Sequence, residues 1–155
     1  MQPASRRAIL AAGLLAAPLA LAPAGACTIS SAGVAFGAYD PQIPGNDDST
    51  GTVSVECHPS VSSPIVALSA GQSGTFAGRS MTSGSYTLTY NLYADSGRAT
   101  IWGDGTSGTV TVTLTGGSVS GGQRRFSRTI YGRVPGSQNV GAGTYGDTIT
   151  LTVTF

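Results

Sequence analysis

Cys57 and His58 stand side by side, and a thiol next to an imidazole is the raw material of a cysteine nucleophile. Two features argue against that chemistry. Neighbouring residues on a strand point to opposite faces, so the ring does not reach the thiol. The chain has one other cysteine, Cys27, and two cysteines in an exported protein are expected to pair, which removes the thiol altogether. No C-x-x-C redox spacing is present. The loop closed by Cys27 and Cys57 is long, and chain entropy puts the stabilisation at about 3–4 kcal/mol. His58 then reads as a solvated strand-end residue.

The carboxylates offer little more. Asp40, Asp47, Asp48, Asp95, Asp104 and Asp147 each sit in or beside a Gly, Pro or Ser turn, where aspartate is common for its own hydrogen bonding. A carboxylate pair for glycoside hydrolysis is therefore not indicated. Asp104, in Trp102-Gly103-Asp104-Gly105, lacks the spaced partners of a calcium loop. One histidine, a single glutamate (Glu56), no lysine and no Gly-x-Ser-x-Gly elbow leave too few general bases. The expectation is a non-enzyme with no metal and no cofactor.

Two sets of residues remain for binding. Tyr39, Tyr93 and Trp102 lie among glycine loops, where exposed rings stack on sugars; packing under those loops is the favoured alternative. Arg124, Arg125, Arg128 and Arg133 form the one local excess of charge. A solvated surface accounts for them, with contact to a polyanion as the alternative, and a regular strand would place Arg128 and Arg133 on opposite faces.

The elements that must carry these residues are strands. Val53 and Val55 alternate with Thr52 and Ser54 on the way to Cys57. Tyr86, Leu88, Tyr90 and Leu92 share one face of Tyr86–Tyr93; Val110, Val112 and Leu114 alternate with threonines. Ile149, Leu151, Val153 and Phe155 stand against four threonines in Asp147–Phe155. Such period-2 patterns predict half-buried strands with the apolar face inward. Shorter candidates are Val34–Phe36, Ile65–Ser69 and Phe126–Val134. Turn clusters separate them: 40–51, 71–74, 83–84, 103–108, 116–122 and 135–146. No stretch has helical spacing with caps. About seven short strands punctuated by turns predict an all-β sandwich.

The chain has 155 residues, 40% hydrophobic and only 10% charged, with 23 glycines. Residues 1–26 have the layout of a signal peptide. Arg6 and Arg7 precede an apolar run from Ala8 to Ala22, and Ala24-Gly25-Ala26 supplies the cleavage site before Cys27. A twin-arginine route through Ser5-Arg6-Arg7 and lipidation of Cys27 stay open as alternatives. The apolar run is too short for a membrane span. Removal of the leader would leave one domain, 27–155, with six arginines against seven acids, no transmembrane segment and a charge balance unsuited to nucleic acid.

Several motifs along that domain resemble one family. Gly33-Val34-Ala35-Phe36-Gly37-Ala38-Tyr39-Asp40-Pro41 follows Cys27, and Gly51-Thr52-Val53-Ser54-Val55-Glu56-Cys57 comes next. Gly78-Arg79-Ser80-Met81, Leu88-Thr89-Tyr90-Asn91-Leu92-Tyr93, Trp102-Gly103-Asp104-Gly105, Tyr131-Gly132-Arg133 and Gly143-Thr144-Tyr145-Gly146-Asp147-Thr148 complete the order. Together they resemble spore coat protein U domains, which also form subunits of archaic chaperone–usher pili. The resemblance implies an immunoglobulin-like Greek-key sandwich, a Cys27–Cys57 disulfide, no enzymatic activity, and passage through the periplasm to the cell surface or beyond. It further implies a sandwich lacking one strand, completed first by a periplasmic chaperone and then, at an outer-membrane usher, by a neighbouring pilus or coat subunit.

On that reading Ile149, Leu151, Val153 and Phe155 belong to the strand that borders the open groove, with the ring and carboxylate of Phe155 at the junction with the chaperone. Cleavage after Ala26 would leave no alternating extension to donate, which suits a tip, minor or coat component. A stand-alone secreted module that binds carbohydrate or another surface is the alternative.

Overall fold

Strands rich in Val, Thr and Tyr bury one face and need a second sheet to bury it against. A computed structural model, which describes residues 27–155, meets that need with two sheets. The first has the order β1 (Cys27–Ala32), β2 (Asp47–Cys57), β8 (Gln123–Val134), β5 (Tyr86–Tyr93) and β4 (Arg79–Ser83), with β7 (Ser118–Ser120) beside β8. The second runs β6 (Val112–Thr113), β3 (Ile65–Leu68), β9 (Leu151–Thr154). Non-consecutive neighbours make this an immunoglobulin-like sandwich with Greek-key crossings. The expected signal peptide, 1–26, lies outside the described residues.

The core forms where the inner faces meet. Val53 and Val55 of β2, Leu88, Tyr90 and Leu92 of β5, and Phe126, Ile130 and Val134 of β8 face Val66 and Leu68 of β3, with Trp102, Val112 and Leu114. Each such side chain contributes roughly 1.5–3 kcal/mol on burial. Cys27 and Cys57 face each other in the β1–β2 register and form a disulfide, which clamps the start of β1 to the end of β2.

The structure departs from the sequence expectations at particular places. The Val110–Leu114 alternation is divided between partners, because Val110 bridges Trp102 while only Val112 and Thr113 reach β3. Ladder pairing in Asp147–Phe155 is confined to Leu151–Thr154. Asp47 and Asp48, assigned to a turn, begin β2, where Asp48 opposes Arg133. Tyr86 does not join Leu88, Tyr90 and Leu92 inside but stays half exposed, its ring against Gly141. Val34–Phe36 enters no ladder, and side-chain packing holds it instead.

Candidate functional site

Two strands at the sandwich margin set the site. Among the described residues β1 pairs with β2 alone and β9 with β3 alone, and the two lie side by side without a ladder between them. Along one seam, the outer edges of Thr28–Ala32 and of β9 therefore enter no further ladder among the described residues. The hydrophobic residues that stay only half-buried concentrate here: Val34, Phe36, Met81, Tyr145, Ile149 and Leu151. They line a hollow of about 350 Å³ that opens beside Ser31 and Gly33. Val34, Phe36, Met81 and Tyr145 also wall a second hollow of about 700 Å³, which reaches Tyr39 and Val140. One apolar groove thus runs along the open seam.

Its floor depends on two glycines. A Cβ on Gly132 of β8 would meet Val34 Cγ1 at 2.6 Å and Phe36 Cζ at 2.7 Å, and a Cβ on Gly51 of β2 would meet the Ala32 carbonyl oxygen at 2.7 Å. Bare backbone at these positions seats Val34 and Phe36 on the sheet, where Phe36 meets Tyr90 edge-on with ring centroids 5.9 Å apart.

A polar strap fixes the other wall. The Tyr90 hydroxyl donates to Asp147 Oδ2 at 2.7 Å, while Asp147 Oδ1 accepts from the backbone N–H of Gln72 and of Thr148. Burial, then the hydrogen bond to Asp147, push the Tyr90 phenol well above its ordinary range, so it remains a donor. Ser69 extends the strap, its N–H donating to the Thr150 carbonyl and its hydroxyl accepting from the Thr150 N–H.

Behind the strap lies Arg79, fully buried. Its Nε and Nη2 donate to the Ser69 carbonyl, Nη1 to Asn91 Oδ1 at 2.8 Å, and Nη2 also to the Trp102 carbonyl at 2.7 Å. The guanidinium lies 5.2 Å from the centre of the Phe76 ring. It ties β4 and β5 of one sheet to the end of β3 in the other.

The residues singled out from sequence take different places. Ile149, Leu151 and Val153 are half-buried, with Thr150, Thr152 and Thr154 outside; Leu151 and Val153 oppose the buried Leu68 and Val66. Phe155, beyond β9, is 62% exposed. The three aromatic residues do not form one surface. Trp102 is 0% exposed with Nε1 donating to the Val66 carbonyl, so it offers no face to a sugar, and the reading of it as an exposed stacking ring is corrected. Tyr39 is tied by its hydroxyl to Pro135 and Gln138 at the end of the groove. Tyr93 lies opposite Tyr131 in the β5–β8 register.

His58 Nδ1 contacts the Ser60 hydroxyl, away from any thiol. Among the described residues no three His, Cys, Asp or Glu gather as a metal site, and no helix is long and apolar enough to cross a membrane. Arg79 and the Tyr90–Asp147 bond carried no signal of their own in the sequence; each stood inside a motif without a role.

These features define an immunoglobulin-like sandwich, pinned by a disulfide and open along one seam. The chain belongs to the Spore Coat Protein U domain family, whose profile matches residues 13–152. It is 35% identical over 148 residues to Protein U of Myxococcus xanthus, across 84% of this chain and 78% of that protein. It is also similar, with a TM-score of 0.60 and 21% identity, to a chain in the crystal structure of the CsuC–CsuE chaperone–tip adhesion subunit pre-assembly complex from archaic chaperone–usher Csu pili of Acinetobacter baumannii. That likeness takes in 84% of this chain but only 40% of the other, and it concerns the fold. Membership of a coat-protein family fits a structural role and not an enzymatic one.

Proposed function

We propose that the protein is a secreted, non-enzymatic structural subunit of a surface coat or pilus, with an adhesive role at the surface, and that its open seam accepts a strand donated by a partner. The apolar groove between Thr28–Ala32 and β9, whose outer edges enter no further ladder among the described residues, is the observation that carries this reading. An extended segment laid there would gain backbone hydrogen bonds from a free edge, and its alternate side chains would fill the space above Val34, Phe36 and Leu151. Left empty, the same seam is an edge beside bare core and a route to aggregation.

A periplasmic chaperone is the first donor in this scheme, followed at an outer-membrane usher by a neighbouring subunit. The resemblance to a chaperone–subunit complex supports the first step. Ile149, Leu151 and Val153 form the wall the donated strand would follow, and Phe155 extends it. The test is periplasmic expression with and without the chaperone of the same host. The proposal expects degraded or aggregated chain without it and a soluble complex with it. A stable soluble monomer without the chaperone would contradict it.

A further inference from the structure

β8 is flanked unevenly. It pairs with β2 from end to end, but on its other side β5 covers only Tyr131–Arg133 and β7 only Gln123–Arg125. The interval between leaves a gap in the sheet, and a polar pocket of about 430 Å³ occupies it, lined chiefly by Asp95, Ser96, Ser127, Arg128, Thr129 and Tyr131. Small-molecule sites typically measure about 300–1,000 Å³. The pocket shares no lining residue with the groove.

Its lining holds one guanidinium, Arg128, and one carboxylate, Asp95, which differ in how fully their hydrogen-bonding groups are engaged. Arg98 and Arg133 both hold Asp48, and Arg125 holds Glu56. Arg79 is buried, and Arg124 is bound to the carbonyls of Pro59 and Gly117. Arg128 is exposed, and its one hydrogen bond among the described residues runs from Nη2 to the Ala94 carbonyl at 3.2 Å. That bond holds the guanidinium across the gap while leaving donors for a ligand. Asp95, the acid at the wall, is already occupied: its carboxylate accepts from the N–H groups of Thr100 and Ala99, which hold its pKa below the ordinary range. Three hydroxyls, from Ser96, Ser127 and Thr129, and the Tyr131 ring complete the lining.

We infer that this pocket binds one acidic sugar unit of a surface polysaccharide, with Arg128 pairing its carboxylate, the hydroxyls meeting its ring substituents and Tyr131 covering an apolar face. A fork of N–H donors matches a carboxylate, and an aromatic ring matches the C–H face of a pyranose. The inference stands apart from the strand-accepting groove.

Calorimetric titration of the protein in its soluble form, chaperone-bound or free, with an oligogalacturonate tests it, with the chaperone alone as blank and a neutral galacto-oligosaccharide and sodium acetate as comparisons. The acidic sugar should bind, while the neutral sugar and acetate should bind much more weakly. Arg128→Gln should weaken binding about tenfold or more, as expected for losing a charge-assisted hydrogen bond. Ser127→Ala should weaken it by less, and Arg125→Gln, whose charge is already paired, should leave it unchanged. Absence of binding by the unmodified protein, equal binding of neutral and acidic sugars, or equal affinities of Arg128→Gln and Arg125→Gln would each overturn the inference.

Discussion

The Tyr90 hydroxyl donates a 2.7 Å hydrogen bond to Asp147, joining the middle of β5 to the segment that leads into β9. Beyond it, ladder pairing does not begin until Leu151. This bond, with those of Gln72 and Ser69, therefore holds the groove wall ahead of the β9 ladder.

Tyr90→Phe should cost about 1.5–3 kcal/mol, the usual worth of a hydrogen bond to a charged group. The loss should appear in denaturant unfolding. Hydrogen exchange should show faster opening of residues 147–150 before the rest of the sandwich responds.

Arg79→Leu should be more damaging, because it strands the carbonyls of Ser69 and Trp102 inside the protein and removes one partner of the Asn91 side chain. Each buried acceptor left unmet costs about 1–3 kcal/mol, so a total loss above about 3 kcal/mol is expected in equilibrium unfolding. Arg79→Lys should not restore it, since one ammonium cannot reproduce a planar fork spread over three acceptors.

Gly132→Ala tests the seat beneath the groove. The added methyl group would enter the space of Val34 and Phe36. Overpacking of this kind costs about 1–3 kcal/mol. The near-ultraviolet signal of the Phe36–Tyr90 contact should change with it, whereas Gly45→Ala, where a Cβ meets nothing closer than 3.9 Å, should leave that signal intact.

Acid sensitivity should trace partly to Asp48. The hydrogen bond from Arg133, followed by the charges of Arg98 and Arg133, holds its pKa below the ordinary 3.8, while burial and the Asp48 charge raise that of Asp47. A carboxyl depressed by folding stabilises fully above its unfolded pKa and loses that contribution as pH falls through the folded value. The stability gap between the unmodified protein and Arg133→Gln should thus be widest above pH ~4 and shrink below it. A gap that grows on acidification would assign the effect to another group.

Much of the sandwich was legible in sequence because period-2 alternation reports directly which face is buried: β2, β5, β8 and β9 all carry it. The site was legible only in part. Ile149, Leu151 and Val153 could be placed on one face, but whether that face is half-open depends on which edges lack partners, a property of topology. Nothing beside Arg79 in the sequence marks it as buried, because its acceptors come from Ser69, Asn91 and Trp102. Trp102, among glycines, leaves stacking and packing both open with packing favoured, and the fold closes over it. The Val34–Phe36 pattern alternates like a strand, yet the glycines that seat it lie on β2 and β8.

Chaperone capture by the β9 wall tests the open-seam account most directly. A pull-down with the host's periplasmic chaperone should recover the unmodified protein and Thr152→Ala, whose side chain faces outward, to the same extent. Val153→Asp places a charge on the inward face opposite Val66, in a strand whose apolar side chains are each worth about 1.5–3 kcal/mol when buried, and should lose the chaperone. Equal recovery of all three forms would show that β9 is ordinary sheet and that the seam takes no partner strand.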